Sequence, residues 1–403
     1  MSPGIEAELR DSLACASESI MPRADLADRV RRASRRRRRM LTGVITAGLA
    51  TVVAGSLIAI YGTGHGQRHP AANHHGQRRG GVNIVVGYDG PDHIAADGRW
   101  IYVTAGDGNP GSVMFAYDRA TGRLVRSIGI PAAASSLQVG PGGLVWLSFY
   151  PDSNGGGTGV WLLSPDLKAR SGVNLGTRRY HGAAPFDVLL TGANTAVLAT
   201  DYGLATLRLP SPGQPGAAAL RWLPRIPGSR RIQGLPVQVA AFAGRLAVML
   251  ESDGGQELIS FAGSRSAEFI PKSADALGSV AASASGLWTT LSADNGQTSL
   301  GLIRLDSRLR PSTPRTIRSD PVLRGAQQVV TLGSTVWVIL SGPAPSLACF
   351  TDRGGHIGPV TKPDYRPEPA TNNGVGSLAV VGHTLYVLGP VAVASYPIPA
   401  ACR

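Results

Sequence analysis

The sequence predicts an all-β fold, a seven-bladed β-propeller preceded by a transmembrane helix and a short helical cytoplasmic tail. Three observations predict it. After residue 80, a pair of short apolar strands around a glycine or polar turn recurs seven times at intervals of about 40 to 52 residues. Glycine (52 residues) and proline (29 residues) are abundant, yet 43% of the 403 residues are hydrophobic, so the glycine belongs to the turns of a folded chain. Finally, 22 consecutive residues, Met40 to Tyr61, carry no charge and follow a cluster of arginines.

Residues 1–39 form the expected cytoplasmic tail. Ile5, Leu9 and Leu13 fall at helical spacing, Pro22 interrupts, and Leu26 and Val30 mark a second short amphipathic helix. Arg31, Arg32, Arg35, Arg36, Arg37, Arg38 and Arg39 then abut the apolar run. With a net charge of +13, such a cluster invites a nucleic-acid reading, but the tail has no aromatic residue to stack a base and no DNA-binding motif. The cluster instead reads as a topogenic signal that holds the N-terminus inside and sits on anionic lipid headgroups. At 1.5 Å per residue the run 40–61 is long enough to cross a bilayer core of about 30 Å, and it is longer and further from the start than a cleaved signal peptide. The expectation is a single-pass plasma-membrane protein whose C-terminal domain is extracytoplasmic. Gly43, Ala47, Thr51, Gly55 and Ala59 form a small-residue stripe that would support a weak homodimer. The tail, with its DLADRV helix and arginine run, resembles the short cytoplasmic N-termini of many actinobacterial single-pass proteins, which have unrelated exteriors. Residues 62–80, with HGQR twice and four histidines, read as a flexible tether.

Residues 81–403 carry the repeats. They are HIAADGRWIYVTA, SLQVGPGGLVWLSF, DVLLTGANTAVLAT, QVAAFAGRLAVML, SVAASASGLWTTL, QVVTLGSTVWVIL and SLAVVGHTLYVLG, with turns near Gly98, Gly142, Ala193, Gly244, Ser285, Gly333 and Gly382. Third and fourth strands around a chain-reversing aspartate are expected in SVMFAYDRATGRLVRSIGI, GVWLLSPDLKARSGVNL and LGLIRLDSRLRPSTPRTI. No helix is expected here. The last repeat supplies only three strands, so GVNIVVGY, ahead of the first repeat, is the expected fourth strand that closes the ring. Of three cysteines, Cys15 precedes the apolar run, leaving Cys349 and Cys402 as the candidate disulfide in an oxidising compartment.

The hairpin AYDRATGRLVRS, Ala116 to Ser127, resembles the repeat signature of the YVTN and quinoprotein-like propellers. Quinoproteins continue to a docking tryptophan four residues after the glycine; here Arg126 stands there, so the resemblance implies no quinone cofactor. Nothing else in the sequence calls for a cofactor or a metal. His93, His181, His356 and His383 occupy different repeat positions, and no GxSxG, HExxH or Walker motif is evident. The aspartates Asp89, Asp92, Asp97, Asp107, Asp118, Asp152, Asp187, Asp201, Asp253 and Asp294 sit where turn chemistry places them. Trp100, Trp146, Trp288 and Trp337 fall mostly in the second strand of their repeats, as inter-blade core. No catalytic residue is singled out. The expected function is binding or scaffolding at the cell envelope, through contact with an envelope protein or polymer. The alternatives are a lyase or hydrolase using the central funnel, or a sensor relaying ligand binding to the tail.

Overall fold

A computed structural model describes residues 83–86, 91–106, 112–150, 157–223, 234–252, 255–262, 265–271, 276–293, 298–313, 315–340, 346–353, 356–363, 365, 377–389 and 392–403. The expected tail, transmembrane run and tether, with the seven arginines from Arg31 to Arg39, lie outside these residues. Among the described residues no helix is long and apolar enough to cross a membrane.

Seven antiparallel sheets form the seven blades. After β1 (Asn83–Val85), blade one holds β2 (Pro91–Ala96), β3 (Trp100–Ala105), β4 (Val113–Asp118) and β5 (Leu124–Gly129). Blade two holds β6 (Ala133–Val139), β7 (Val145–Tyr150), β8 (Gly159–Leu163) and β9 (Arg170–Asn174). Blade three holds β10 (Pro185–Leu190), β11 (Thr195–Thr200), β12 (Gly203–Arg208) and β13 (Ala219–Trp222). Blade four holds β14 (Leu235–Phe242), β15 (Arg245–Ser252), β16 (Gly255–Ala262) and β17 (Arg265–Phe269). Blade five holds β18 (Ala276–Ala282), β19 (Leu287–Ala293) and β20 (Thr298–Leu305). Blade six holds β21 (Ala326–Leu332), β22 (Thr335–Leu340), β23 (Ser346–Arg353) and β24 (His356–Ile357). Blade seven holds β25 (Ser377–Val381), β26 (Thr384–Leu388) and β27 (Ala392–Pro397). Every one of the seven quoted repeats is the first hairpin of a blade.

The first strands touch one another around the axis, while the outermost strands, such as β5 and β9, are largely exposed. The apolar core is accordingly divided into seven clusters, one in each seam between neighbouring blades. Strand periodicity builds this. Along β3, Trp100 and Tyr102 enter the seam with blade two, whereas Ile101 and Val103 enter the seam with blade seven. Both sheet faces are therefore buried, and β3 is buried at all six positions. The ring is closed by β1, which adds to blade seven with Asn83 opposite Ala394 and Val85 opposite Ala392.

Blade five departs from expectation. Its described residues give three strands, and the segment after the Asp306 turn makes only an isolated bridge between Leu305 and Pro311. Beside it the Asp306 N–H donates to the Arg310 carbonyl at 2.9 Å and the Ser312 N–H to the Arg304 carbonyl at 2.7 Å. The Arg304 N–H is taken by the Thr313 hydroxyl at 2.7 Å. The chain then forms a four-residue α-helix (Arg315–Arg318) and a 3-10 turn (Pro321–Gly325) capped by Asp320, where no helix was expected.

Two seams are held differently at equivalent positions. Trp288 and Trp337 occupy the same place in the second strands of blades five and six, opposite Ala281 and Val330. The Trp288 indole N–H donates 2.7 Å to Asp352 of blade six, a fully buried carboxylate that also accepts from the Ser283 and Ser285 hydroxyls. Arg304 lies 3.5 Å from the same carboxylate. In blade seven the residue at the place of Asp352 is Ile398: each donates its N–H to the turn residue opposite, Asp352 to Ser334 and Ile398 to His383. With apolar Ile398 there, the buried Trp337 indole N–H has no partner among the described residues. That seam instead contains Cys349 and Cys402, with sulfurs 2.01 Å apart, and the Thr335 hydroxyl donates to the Cys402 carbonyl.

Candidate functional site

A propeller offers ligands its channel and the loops around it. The channel wall is made by the first strands, and in blades one to six each contains a register shift near its start. A bulge re-aims the side chain that follows it. In blades one to four and six that residue is polar, and in blade five polar Ser279 lies within the shift ahead of Val280; several of these groups reach the next blade. His93 Nε2 lies 3.3 Å from the Ala134 carbonyl of blade two. Asp187 accepts the Val239 N–H of blade four at 3.0 Å, Gln238 the Val280 N–H of blade five at 2.8 Å, and Ser279 the Val329 N–H of blade six at 2.6 Å. Gln138, two residues beyond the blade-two position, donates to the Val188 carbonyl of blade three. Five of the wall's polar side chains, His93, Gln138, Asp187, Gln238 and Ser279, thus bridge neighbouring blades.

Burial sets their protonation. It lowers the His93 pKa and pushes Asp187 up to about 6 although two N–H groups favour its charge. Asp201, in the second turn of blade three, is likewise pushed up to about 6. Asp92, in the blade-one bulge, is pushed up to about 7 by burial alone and has no hydrogen-bond partner among the described residues. Asp97 and Asp118 do turn work, the first accepting the Arg99 and Trp100 N–H groups and the second the Thr121 N–H.

The rim of blades two and three is chemically richer. His181 ends a 3-10 turn (Arg178–Tyr180) in a left-handed conformation, φ 62°. Its exposed ring stacks on Tyr202 at 4.1 Å and 8°, and Trp222 meets the Tyr202 ring edge-on at 4.8 Å. The loop is fixed on both sides. The Thr158 hydroxyl donates to the Ala183 carbonyl at 2.9 Å, and the Ala184 N–H donates to Asp201 at 2.6 Å.

Blade two also carries a cleft of about 300 Å3 whose lining includes Phe149, Thr158, Trp161, Arg170, Gly172 and Asn174. Phe149 and Trp161 meet edge-to-face at 5.1 Å, and the Arg170 guanidinium lies 4.2 Å above the indole. Gly172 permits this, because a Cβ there would stand 2.6 Å from the Trp161 ring. Sequence reasoning missed both rim features: the ring-bearing residues lie on three strands and two turns, and only the fold brings them together.

Of the other residues considered in the sequence, Trp100, Trp146, Trp288 and Trp337 are buried in seams. His93 lies on the channel wall, His356 on the outer strand β24 and His383 in the exposed first turn of blade seven. Among the described residues no three of His, Cys, Asp and Glu lie together as metal ligands. Asp89, Asp107, Asp152, Asp253 and Asp294 are outside the described residues.

No family model and no curated protein matches the chain. Among solved structures it is similar to the β-propeller domain of Cps50 (Swd1) from Myceliophteria thermophila, with a TM-score of 0.53 and 12% identity over 77% of this chain and 98% of that one. It is also similar to YCF48 from Cyanidioschyzon merolae, with a TM-score of 0.52 and 13% identity over 79% and 98%. At such identities the likeness shows the β-propeller fold alone.

Proposed function

We propose that the chain is a binding or scaffolding module of the cell envelope, anchored by residues 40–61 and carrying its propeller outside. The carrying observation is the division of labour in the polar groups. Most of those identified on the channel wall bridge neighbouring blades, Asp92 excepted, which disfavours funnel chemistry, whereas the rim of blades two and three presents the His181 ring and guanidinium groups to solvent. The uncharged run behind seven arginines supports the anchor, and a Cys349–Cys402 bond suits an oxidising compartment.

The test is in-cell photocrosslinking of the full-length protein from Arg179 on the rim and, as a control, from Val125 on the outer strand of blade one. One recurrent envelope protein or polymer on Arg179 and not on Val125 is the expected result. Equal labelling from both positions, or robust turnover of a substrate by the protein, overturns the reading. Recovery of the chain in the soluble cytoplasmic fraction overturns the anchor.

A further inference from the structure

We infer that the rim of blades two and three is a binding site for an acidic polysaccharide, an inference that rests on the envelope-binding reading and names the chemistry of its ligand. The structural basis is one loop with two recognition surfaces. Asn174 and Thr158 line the cleft, and each is bonded to the loop that carries His181: Asn174 accepts the Gly176 N–H at 2.9 Å, and Thr158 donates to Ala183. The cleft and the His181–Tyr202–Trp222 stack are therefore both tied to one pinned loop.

Its chemistry has three parts. Aromatic rings with electron-rich faces attract the polarised C–H groups of a sugar ring. Exposed Asn174 brings an amide to the cleft edge, where sugar hydroxyls can exchange hydrogen bonds. Arg170, Arg178 and Arg179 are exposed, and among the described residues none of them is paired with a carboxylate. Arg170 is moreover held in place over the Trp161 indole, so its guanidinium is presented in a fixed direction to a carboxylate. His181 is exposed and Trp161, Tyr202 and Trp222 are half-buried, so the ring surface offered is open to solvent. Residues 81–403 carry 26 Lys+Arg against 20 Asp+Glu, which favours an anionic over a neutral polymer.

The experiment uses the full-length chain in detergent, with sodium polygalacturonate as the acidic glycan, dextran as the neutral one and poly-glutamate as an acidic peptide. The arginine-rich N-terminus will bind any polyanion, so two charge-matched variants are compared: Arg170→Ala/Arg178→Ala/Arg179→Ala and Arg308→Ala/Arg310→Ala/Arg324→Ala, all at exposed positions. The site predicts that the first variant loses at least tenfold in polygalacturonate affinity relative to the second, that His181→Ala loses several-fold, and that dextran binds to neither. Equal affinities of the two triple variants overturn the inference. So does a rim-dependent loss seen with poly-glutamate and not with polygalacturonate, which would assign the rim to acidic peptide. If the glycan fails while rim crosslinking still recovers one envelope protein, this inference falls and the broader reading stands.

Discussion

The seam between blades five and six and the seam between blades six and seven start from the same element, a tryptophan at one register position of the second strand, and end in opposite solutions. Across the first, Trp288, Ser283, Ser285 and Arg304 converge on the buried carboxylate of Asp352. Across the second, Ile398 replaces the acceptor, the Trp337 N–H has no partner among the described residues, and two sulfurs within bonding distance take over. The difference teaches that a ring of near-equivalent interfaces tolerates either a directional polar latch or a covalent clip. The cost of removing each should differ in kind.

The largest effect is expected for Asp352→Ala. It leaves the Arg304 charge and several buried donors without their acceptor, a class of change that costs about 3–5 kcal/mol. The midpoint of chemical denaturation checks it, and a loss under about 1 kcal/mol would show that the latch is dispensable. Cys402→Ser comes next. A bond closing a loop of 53 residues' separation constrains the unfolded chain by about 2–4 kcal/mol. Its Tm should match that of the wild type under reductant, and a mutant as stable as the oxidised protein would mean that the two sulfurs are not bonded in solution.

Trp288→Phe against Trp337→Phe isolates the hydrogen bond from the packing. Both remove similar ring area, but only the first deprives a carboxylate of a donor, so it should cost about 1–3 kcal/mol more. Equal losses would erase the contrast between the seams.

The smallest effect concerns Asp92, a partly buried carboxylate with none of the partners Asp352 has. Its pKa stands at about 7 against an ordinary value of 3.8. The raised value means that its contribution is fully favourable below about pH 4 and is lost as pH rises to about 7, while the unfolded chain gives up its proton and the folded chain keeps it. Asp92→Asn should therefore raise stability at pH 8 by roughly 1–2 kcal/mol, after allowance for partial exposure, and by less at pH 4.5. Thermal melts at the two values decide it, and an equal gain at both would assign the effect to shape. His93, lowered by burial, acts in the opposite sense by penalising folding as pH falls below 6.5, and the substitution leaves it unchanged.

Much of the ring was legible because strand pairs bury both faces and so repeat as apolar runs around glycine turns. The missing strand of the last blade was legible by counting. The channel wall was legible too, but was not read: the seven repeats begin with His93, Ser136, Asp187, Gln238, Ser279, Gln328 and Ser377, all polar, where an inner strand would otherwise be apolar. Among its described residues blade five lacks a fourth strand, and the sequence carried no clear signal of that. The aromatic stack and the cleft carried none, since Phe149, Trp161, His181, Tyr202 and Trp222 have no shared spacing and meet only through the turns that the fold builds.

The pairing of Asn83 with Ala394 sets an order of events. The strand that seals the ring is made by the ribosome before any blade, and its partner β27 is among the last segments to emerge. The intervening chain must be organised before the two ends can meet, so the entropy of joining them is deferred to the final step. A nascent chain stalled anywhere before Ala392 keeps the edge of blade seven open, and a ring that is complete in six blades is still unfinished at the seventh.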